Sequence, residues 1–215
     1  KRLLNIPMSG SLKNQSLNQI KKEQRIHELQ FDIPLSHSGN PISSKDIANA
    51  FTKNPCSRFG EDYSKQILDL NINSKGFLTG SIDLVFADNE DHSKARWWVV
   101  DWKSNWIGEE IEQISSCGPH HYHDQSMHEQ MVLHHYPLQA HLYLVALHRL
   151  LSWRQQNYSI HRHLGGYVYM FLRGIPGEDL LKKNLNKNPI PGIIIEEAPT
   201  ERILEINDLL EKGSL

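Results

Sequence analysis

Cysteine is scarce in this sequence, whose 215 residues include only Cys56 and Cys117. Because the two lie far apart in the chain, they form neither a metal-binding pair nor a disulfide framework. Long apolar runs are also missing, both the roughly 18 residues of a membrane-spanning helix and the shorter core of a signal peptide. We therefore expect a protein of the reducing cytoplasm that has no membrane partner.

Positive charge is not in excess either. Lys and Arg number 23 against 25 Asp and Glu, which gives a net charge of −2. A chain without an excess of basic residues binds nucleic acid through a local patch or a bound metal ion. The phosphate-binding sequence GxxxxGK[ST] is absent, so we expect no ATP site, and neither GxSxG nor a paired-cysteine motif is present.

The hydrophobic content of 39% is sufficient for one core of medium size. We predict two parts, with residues 1–25 as a linker or N-terminal extension and residues 26–215 as one folded domain. Since the first residue is Lys rather than Met, we expect the chain to be a piece of a larger polypeptide.

The most informative stretch is residues 76–106, GFLTGSIDLVFADNEDHSKARWWVVDWKSNW. Apolar and polar residues alternate around Asp83, which predicts a strand. A second strand has Val99, Asp101 and Lys103 on one face, because side chains two residues apart on a strand point the same way. The polar segment between the two strands predicts a hairpin loop at the surface.

If the hairpin turn is centred near Asp91, Asp83 lies opposite Val99 and diagonal to Asp101. Diagonal neighbours in a strand pair are about 7–8 Å apart at the backbone, so the two carboxylates can bind one ion. An unpaired charge buried among apolar residues costs on the order of several kcal/mol. Two interpretations follow, a salt bridge with Lys103 or a divalent metal ion on the two acids, and carboxylate ligands favour Mg²⁺ over Zn²⁺.

The periodicity of the remaining chain predicts both strands and helices. Residues 107–123 have weak periodicity and are expected to form a mobile connection. The predicted strands lie within 25–35, 66–72, 165–172 and 193–195. The predicted helices are 45–51, with Ser44 as its cap, 124–135, 137–153 and 200–210.

Two clusters of basic side chains are candidate binding sites. The first is His120, His121, His123, His128, His134 and His135. Acids or cysteines do not repeat near these histidines at the usual ligand spacing of zinc, so we expect a solvated patch rather than a zinc site. The second cluster is Arg173, Lys182, Lys183 and Lys187, for which a solvated loop is the default and a phosphate-facing patch is the alternative.

Four segments in the same order resemble the C-terminal nuclease domain of RecB chains, the β subunit of exonuclease V in the RecBCD helicase–nuclease. They are GFLTGSIDLVF, VVDWKSNW, LQAHLYLVALHRLL and HLGGYVYMFLRG. The resemblance runs from about Glu28 to the end of the chain, and HELQFDIPL is similar to the early strand of the family. It implies the PD-(D/E)xK nuclease fold, an α/β class with a mixed central sheet flanked by helices.

The resemblance also implies an activity and its partners. The expected activity is Mg²⁺-dependent hydrolysis of DNA, both exonucleolytic and endonucleolytic, in a bacterial cytoplasmic complex for recombination and repair. The expected partners are DNA and the other exonuclease V subunits. Asp83 matches the first metal-binding acid of the family, Asp101 and Lys103 match its DxK pair, and the backbone carbonyl of Trp102 matches a further ligand. One Mg²⁺ ion is expected, and Mn²⁺ or Ca²⁺ is expected to replace it in binding.

Gln139 and Tyr143 lie four residues apart and share a helix face, and periodicity alone favours ordinary polar positions for both. The resemblance instead matches them to the QxxxY motif, which positions DNA near the site. One departure from the family is its additional His ligand, which comes from a helix upstream of the early strand, and neither His27 nor His37 matches it. The isolated chain is therefore expected to bind metal weakly or to be inactive. The alternative function is a catalytically silent module that guides DNA or docks partner subunits.

Overall fold

The computed structural model describes residues 2–13, 15–35, 41–54, 57–111, 114–177 and 190–212. The strands in these ranges are β1 (Arg25–Leu35), β2 (Ile42–Ser43), β3 (Asn73–Ser74), β4 (Gly76–Ala87), β5 (Trp97–Lys103), β6 (Glu109–Ile111), β7 (Ile114–Ser116), β8 (Leu164–Phe171) and β9 (Ile193–Glu197). The α-helices are α1 (Ser44–Phe51), α2 (Glu61–Leu68), α3 (Asp124–Leu133), α4 (Tyr136–Arg154), α5 (Ile160–His163) and α6 (Thr200–Lys212). Short 3₁₀ turns occupy Arg2–Asn5, Gly10–Leu12, Leu17–Gln19, Lys22–Gln24 and Pro119–His121.

Five strands form the central sheet in the order β1-β4-β5-β8-β9. Strands β5 and β8 run parallel, whereas the other neighbours are antiparallel. The parallel pair is joined through α3, α4 and α5, since a parallel crossover needs a long connection. The expected α/β class with a mixed sheet flanked by helices is confirmed, and the arrangement is consistent with a PD-(D/E)xK-like core.

The two faces of the sheet have different covers. One face packs against the helices, with Val85 and Val99 in the same apolar cluster as residues of α1, α2, α3, α4 and α6. The other face packs against the segment that precedes β1, where Ile6 and Leu12 join Trp98 in a second cluster. The strand predicted within 165–172 is confirmed as β8, and every residue of β8 is buried because its two faces belong to the two clusters. The domain boundary at residue 25 stays a prediction.

The predicted strand at residues 66–72 is wrong, because α2 occupies Glu61–Leu68. Tyr63 and Ile67 are four residues apart and both buried, so they form the inner stripe of a short helix. Glu61 and Asp62 lie in its first turn, where negative charge is favourable. The cap of α1 is Ser43 rather than the predicted Ser44, and its hydroxyl accepts a hydrogen bond from the Asp46 backbone N–H.

The predicted register of the β4–β5 hairpin is also wrong, by two residues. Val85, not Asp83, lies opposite Val99. Asp88 closes the loop by accepting from the Arg96 backbone N–H at 2.7 Å and donating its own N–H to the Arg96 carbonyl at 3.0 Å. These bonds set the turn one residue later than the sequence indicated.

The predicted mobile connection at residues 107–123 contains regular structure, the short hairpin of β6 and β7 and a 3₁₀ turn. The proposed patch residues Lys182, Lys183 and Lys187 lie outside the described residues, as do Cys56 and His37. None of the helices in the described ranges has the length and apolar character needed to cross a membrane.

Candidate metal centre

The two predicted acids lie at the end of the β4–β5 ladder. The last paired residues are Leu84 and Val100, so Asp83 and Asp101 follow them directly, one on each strand. The Asp83 Oδ2 atom accepts a hydrogen bond from the Trp102 backbone N–H at 3.1 Å. The Asp83 side chain, rather than a backbone carbonyl, is thus the acceptor for β5 at this point of the strand pair. Its carboxylate is therefore directed toward β5.

Asp101 is 4% exposed, and Lys103 Nζ lies 2.7 Å from its Oδ2 atom. The salt bridge that the sequence left open as one interpretation is therefore present. Burial raises the pKa of the Asp101 carboxyl, the Lys103 ammonium opposes that rise, and the Asp83 carboxylate adds to it. Because the Asp83 carboxylate disfavours ionisation of Asp101, the two acids form one electrostatic unit.

Gln139 links Lys103 to helix α4. Its Oε1 atom accepts from Lys103 Nζ at 2.9 Å and from the Tyr169 hydroxyl at 2.9 Å. Its Nε2 atom donates to the Tyr143 hydroxyl at 2.9 Å. The predicted face shared by Gln139 and Tyr143 is confirmed, and both the oxygen and the nitrogen of the Gln139 amide have protein partners.

The Tyr143 hydroxyl lies in the field of both acids. Burial raises the pKa of Tyr143 to about 12, and the Asp101 and Asp83 carboxylates contribute in the same direction. The phenol is therefore neutral at neutral pH and retains its proton for donation. The Tyr143 hydroxyl also accepts a hydrogen bond from Gln139, and Gln139 in turn binds Lys103. The hydroxyl therefore lies at the edge of the unit formed by Asp83 and Asp101.

Two tyrosines surround the Lys103 ammonium, and neither was singled out from the sequence. Nζ lies 3.8 Å from the centre of the Tyr136 ring and 5.2 Å from that of Tyr169, within the range of a cation–π interaction. Tyr169 pairs directly with Asp101 between β8 and β5. Tyr136 lies three residues before Gln139 and so shares its helix face, a spacing signal that was available in the sequence.

We expect Tyr136 and Lys103 to be energetically coupled. In a double-mutant cycle, Tyr136→Leu and Lys103→Met should show an interaction of about 0.5–2 kcal/mol in the free energy of unfolding, because the ring face stabilises the partly buried ammonium. Urea unfolding monitored by circular dichroism measures it. The matched cycle with Tyr136→Phe keeps the ring and should retain most of the coupling. Additive effects in the Leu cycle, within about 0.3 kcal/mol, would contradict the interaction.

The carboxylate oxygens of Asp83 and Asp101 are of the kind that binds Mg²⁺. The Oδ2 atom of Asp101 is buried, and its polar neighbour is the Lys103 ammonium at 2.7 Å. A carboxylate oxygen has more than one lone pair, so it retains accepting capacity beside that contact. Mg²⁺ prefers oxygen ligands and is commonly held by one or two carboxylates together with water and substrate phosphate. Asp83 and Asp101 fit that requirement. Across the residues that the structure describes, no group of three or more His, Cys, Asp or Glu side chains is placed to hold a metal ion.

The histidines of residues 120–135 have structural partners. His123 caps α3 by accepting from the Ser126 backbone N–H, and His121 accepts from the Gly118 backbone N–H at 3.0 Å. His135 contacts the Tyr63 hydroxyl at 3.1 Å, and His128 stacks on Phe59. The solvated patch expected here is only partly correct, because His121 is buried.

No family model matches the chain. RecBCD enzyme subunit RecB of Mycobacterium tuberculosis (strain CDC 1551 / Oshkosh) is 31% identical over 218 residues, which cover 97% of this chain and 19% of that protein. The protein of the same name from Mycolicibacterium smegmatis is 30% identical over 91% of this chain and 18% of its own length. The one from Escherichia coli (strain K12) is 39% identical over 83% of this chain and 13% of its own length. The chain thus spans less than a fifth of these relatives.

Proposed function

Because the chain is homologous to RecBCD enzyme subunit RecB over 83–97% of its length, we propose that it is a DNA-processing domain acting in recombination and repair. Its proposed reaction is metal-dependent hydrolysis of phosphodiester bonds in DNA. The chain spans a small part of the length of its relatives. We further propose that it assembles with the other exonuclease V subunits.

The observation that supports this function is the convergence of Asp83, Asp101 and Lys103 at one end of the strand pair. A structural ion pair needs one acid and one base. Here burial raises the pKa of Asp101 and the carboxylate of Asp83 adds to that rise, although Lys103 already supplies one positive charge. A second cation at the two acids would offset the remaining repulsion. Functional sites are where such perturbed groups concentrate.

Asp83 and Asp101 are the residues proposed to hold the Mg²⁺ ion, with the Trp102 carbonyl as a further ligand. Bound Mg²⁺ supplies Lewis-acid chemistry, which polarises a phosphoryl oxygen and lowers the pKa of water. Lys103 is positioned by Gln139 and by the Tyr136 ring to place its ammonium group against the negative charge that develops on the scissile phosphate. An ammonium held in place before reaction does not need to reorganise during it.

Gln139 and Tyr143, the QxxxY pair, have different proposed roles. Since both ends of the Gln139 amide are bound by Lys103, Tyr169 and Tyr143, its proposed role is to position Lys103. Tyr143 is neutral at neutral pH, and its proposed role is to position the DNA backbone near the acids. Contacts to the backbone carry no sequence information directly, so we expect little sequence preference.

Metal binding tests the proposal independently of cleavage. In calorimetric titration with Mn²⁺ or Mg²⁺, we expect the chain to bind one ion, and Asp83→Asn to weaken binding by at least about tenfold, because a ligand is lost. Asp32→Asn is the matched control, since Asp32 is an exposed acid on β1. Equal affinity in the Asp83 and Asp32 variants would favour the alternative, a DNA-guiding or docking module with a purely structural ion cluster.

A further inference from the structure

The turn after β5 places an exposed indole beside the candidate site. Trp106 is 45% exposed, although most large apolar side chains of this sheet region are buried. It follows Lys103 by three residues, and three residues span at most about 11 Å of extended chain. The indole therefore lies within reach of a nucleotide that neighbours a phosphate bound at Lys103.

Hydrogen bonds hold this turn to the wall of the site. The Asn105 carbonyl accepts from the Tyr122 hydroxyl at 2.6 Å, and the Asn105 Oδ1 atom accepts from the Tyr136 hydroxyl at 3.2 Å. The ring of Tyr136 is the one that contacts the Lys103 ammonium. The position of Trp106 is thus coupled to that of Lys103 through one intervening side chain.

The indole has one packed side and one open side. A Cβ atom built on Gly108 would lie 2.8 Å from Trp106 Cζ2 and 2.1 Å from the Ser116 carbonyl, closer than real contacts allow. Glycine at this position therefore admits the ring against the backbone near β7. With that side packed, the exposed area of Trp106 belongs to a surface that is open to solvent and already fixed in orientation.

A positive charge lies beside the same turn. The Arg173 Nε atom donates to the Ser104 carbonyl at 3.0 Å, and Arg173 is an exposed residue. This bond ties the guanidinium group to the residue next to Lys103. In a chain with a net charge of −2, a guanidinium group fixed to the carbonyl of Ser104 is a local attraction for a phosphate group.

We propose that Trp106 is a stacking surface for an unpaired nucleobase of single-stranded DNA, and that Arg173 contacts a phosphate of the same strand. This inference rests on the proposed function and names its substrate class. Every base has an aromatic face that stacks on Trp, so the surface is tolerant of sequence. A base inside a duplex is stacked on its neighbours and cannot use it.

Fluorescence anisotropy of a labelled single-stranded 12-mer, in buffer with EDTA, tests the stacking surface. Trp106→Ala is expected to weaken binding about 5- to 150-fold, the loss associated with one stacked base, whereas Trp106→Phe should retain most of the affinity. Binding of a blunt-ended duplex, which has no unpaired base, should be unchanged. Trp153→Ala is the matched control, because Trp153 is 74% exposed on α4 and should leave the affinity unaltered.

The inference and the proposed function fail separately. Equal affinity of the parent chain and Trp106→Ala for the single strand would overturn the inference, and would leave a protein-contact role for the indole. An equal loss in the Trp153 control or with the blunt-ended duplex would overturn it too, since neither involves an unpaired base on Trp106. Loss of binding confined to Trp106→Ala, together with no DNA cleavage by a version of the chain extended upstream to include the additional His ligand, would remove the proposed function and leave the stacking surface supported.

Discussion

Asp101→Asn is expected to abolish DNA cleavage, by at least about a thousandfold, because the substitution removes a charged oxygen from the proposed metal ligands. The measurement is the rate at which linear single- and double-stranded DNA is cleaved with Mg²⁺. It uses a version of the chain extended upstream to include the additional His ligand, since the isolated chain is expected to bind metal weakly or to be inactive. The variant should remain folded. Burial raises the pKa of Asp101, so the ionised carboxylate is less favourable in the folded chain than in the unfolded one, and a neutral amide of the same shape removes that cost.

Lys103→Ala is the companion variant that separates charge stabilisation from metal binding. It should lose cleavage to a similar extent while Mn²⁺ binding persists, since the carboxylates of Asp83 and Asp101 are retained. Unchanged nuclease activity in either variant, with the parent chain active, would exclude this site as the catalytic one. Loss of activity together with loss of the folded circular dichroism spectrum would point to a structural ion pair instead.

The convergence of these three residues was predictable from the sequence. Period-two alternation placed Asp101 and Lys103 on one face of a strand, and the hairpin brought Asp83 to the neighbouring strand. The register was not predictable, because it depends on side chain to backbone bonds between Asp88 and Arg96 inside the loop. A shift of two residues keeps every side chain on the same face of the sheet, so the alternation of apolar and polar residues does not distinguish the two registers.

The aromatic surroundings of Lys103 were beyond sequence reasoning for a different reason. Tyr169 reaches Lys103 through the parallel pairing of β5 with β8, strands that are far apart in the chain. Parallel register is set by the packing of the connecting helices rather than by a turn. Tyr136 was within reach of helix periodicity, yet its contact with Lys103 depends on how α4 lies on the sheet.

Helix α4 itself depends on a buried arginine. Arg202 of α6 is fully buried and donates to the carbonyls of Lys53, Asn54 and Phe59 and to the Ser57 hydroxyl. It also donates to His141 Nε2 at 3.1 Å. The His141 Nδ1–H donates to the Pro137 carbonyl, and burial followed by the Arg202 charge lowers the pKa of His141 to about 3. His141 is therefore neutral at neutral pH, and its Nε2 atom accepts the bond from Arg202. In sequence it lies two residues after Gln139 and two before Tyr143 on α4.

Arg202→Met is accordingly expected to lower the free energy of unfolding by about 3–5 kcal/mol, because apolar packing is kept while several buried acceptors lose their donor. Urea unfolding by circular dichroism measures the change. Arg162→Met is the matched control, an exposed arginine whose replacement should alter the value by less than about 0.5 kcal/mol. Arg202→Lys should fall between them, since one ammonium has three donors and the guanidinium has five.

A loss of less than about 1 kcal/mol in Arg202→Met would mean that the loop and α4 are held by apolar packing alone. A large loss with reduced cleavage under folding conditions would instead tie the placement of Gln139 and Tyr143 to this buried cation.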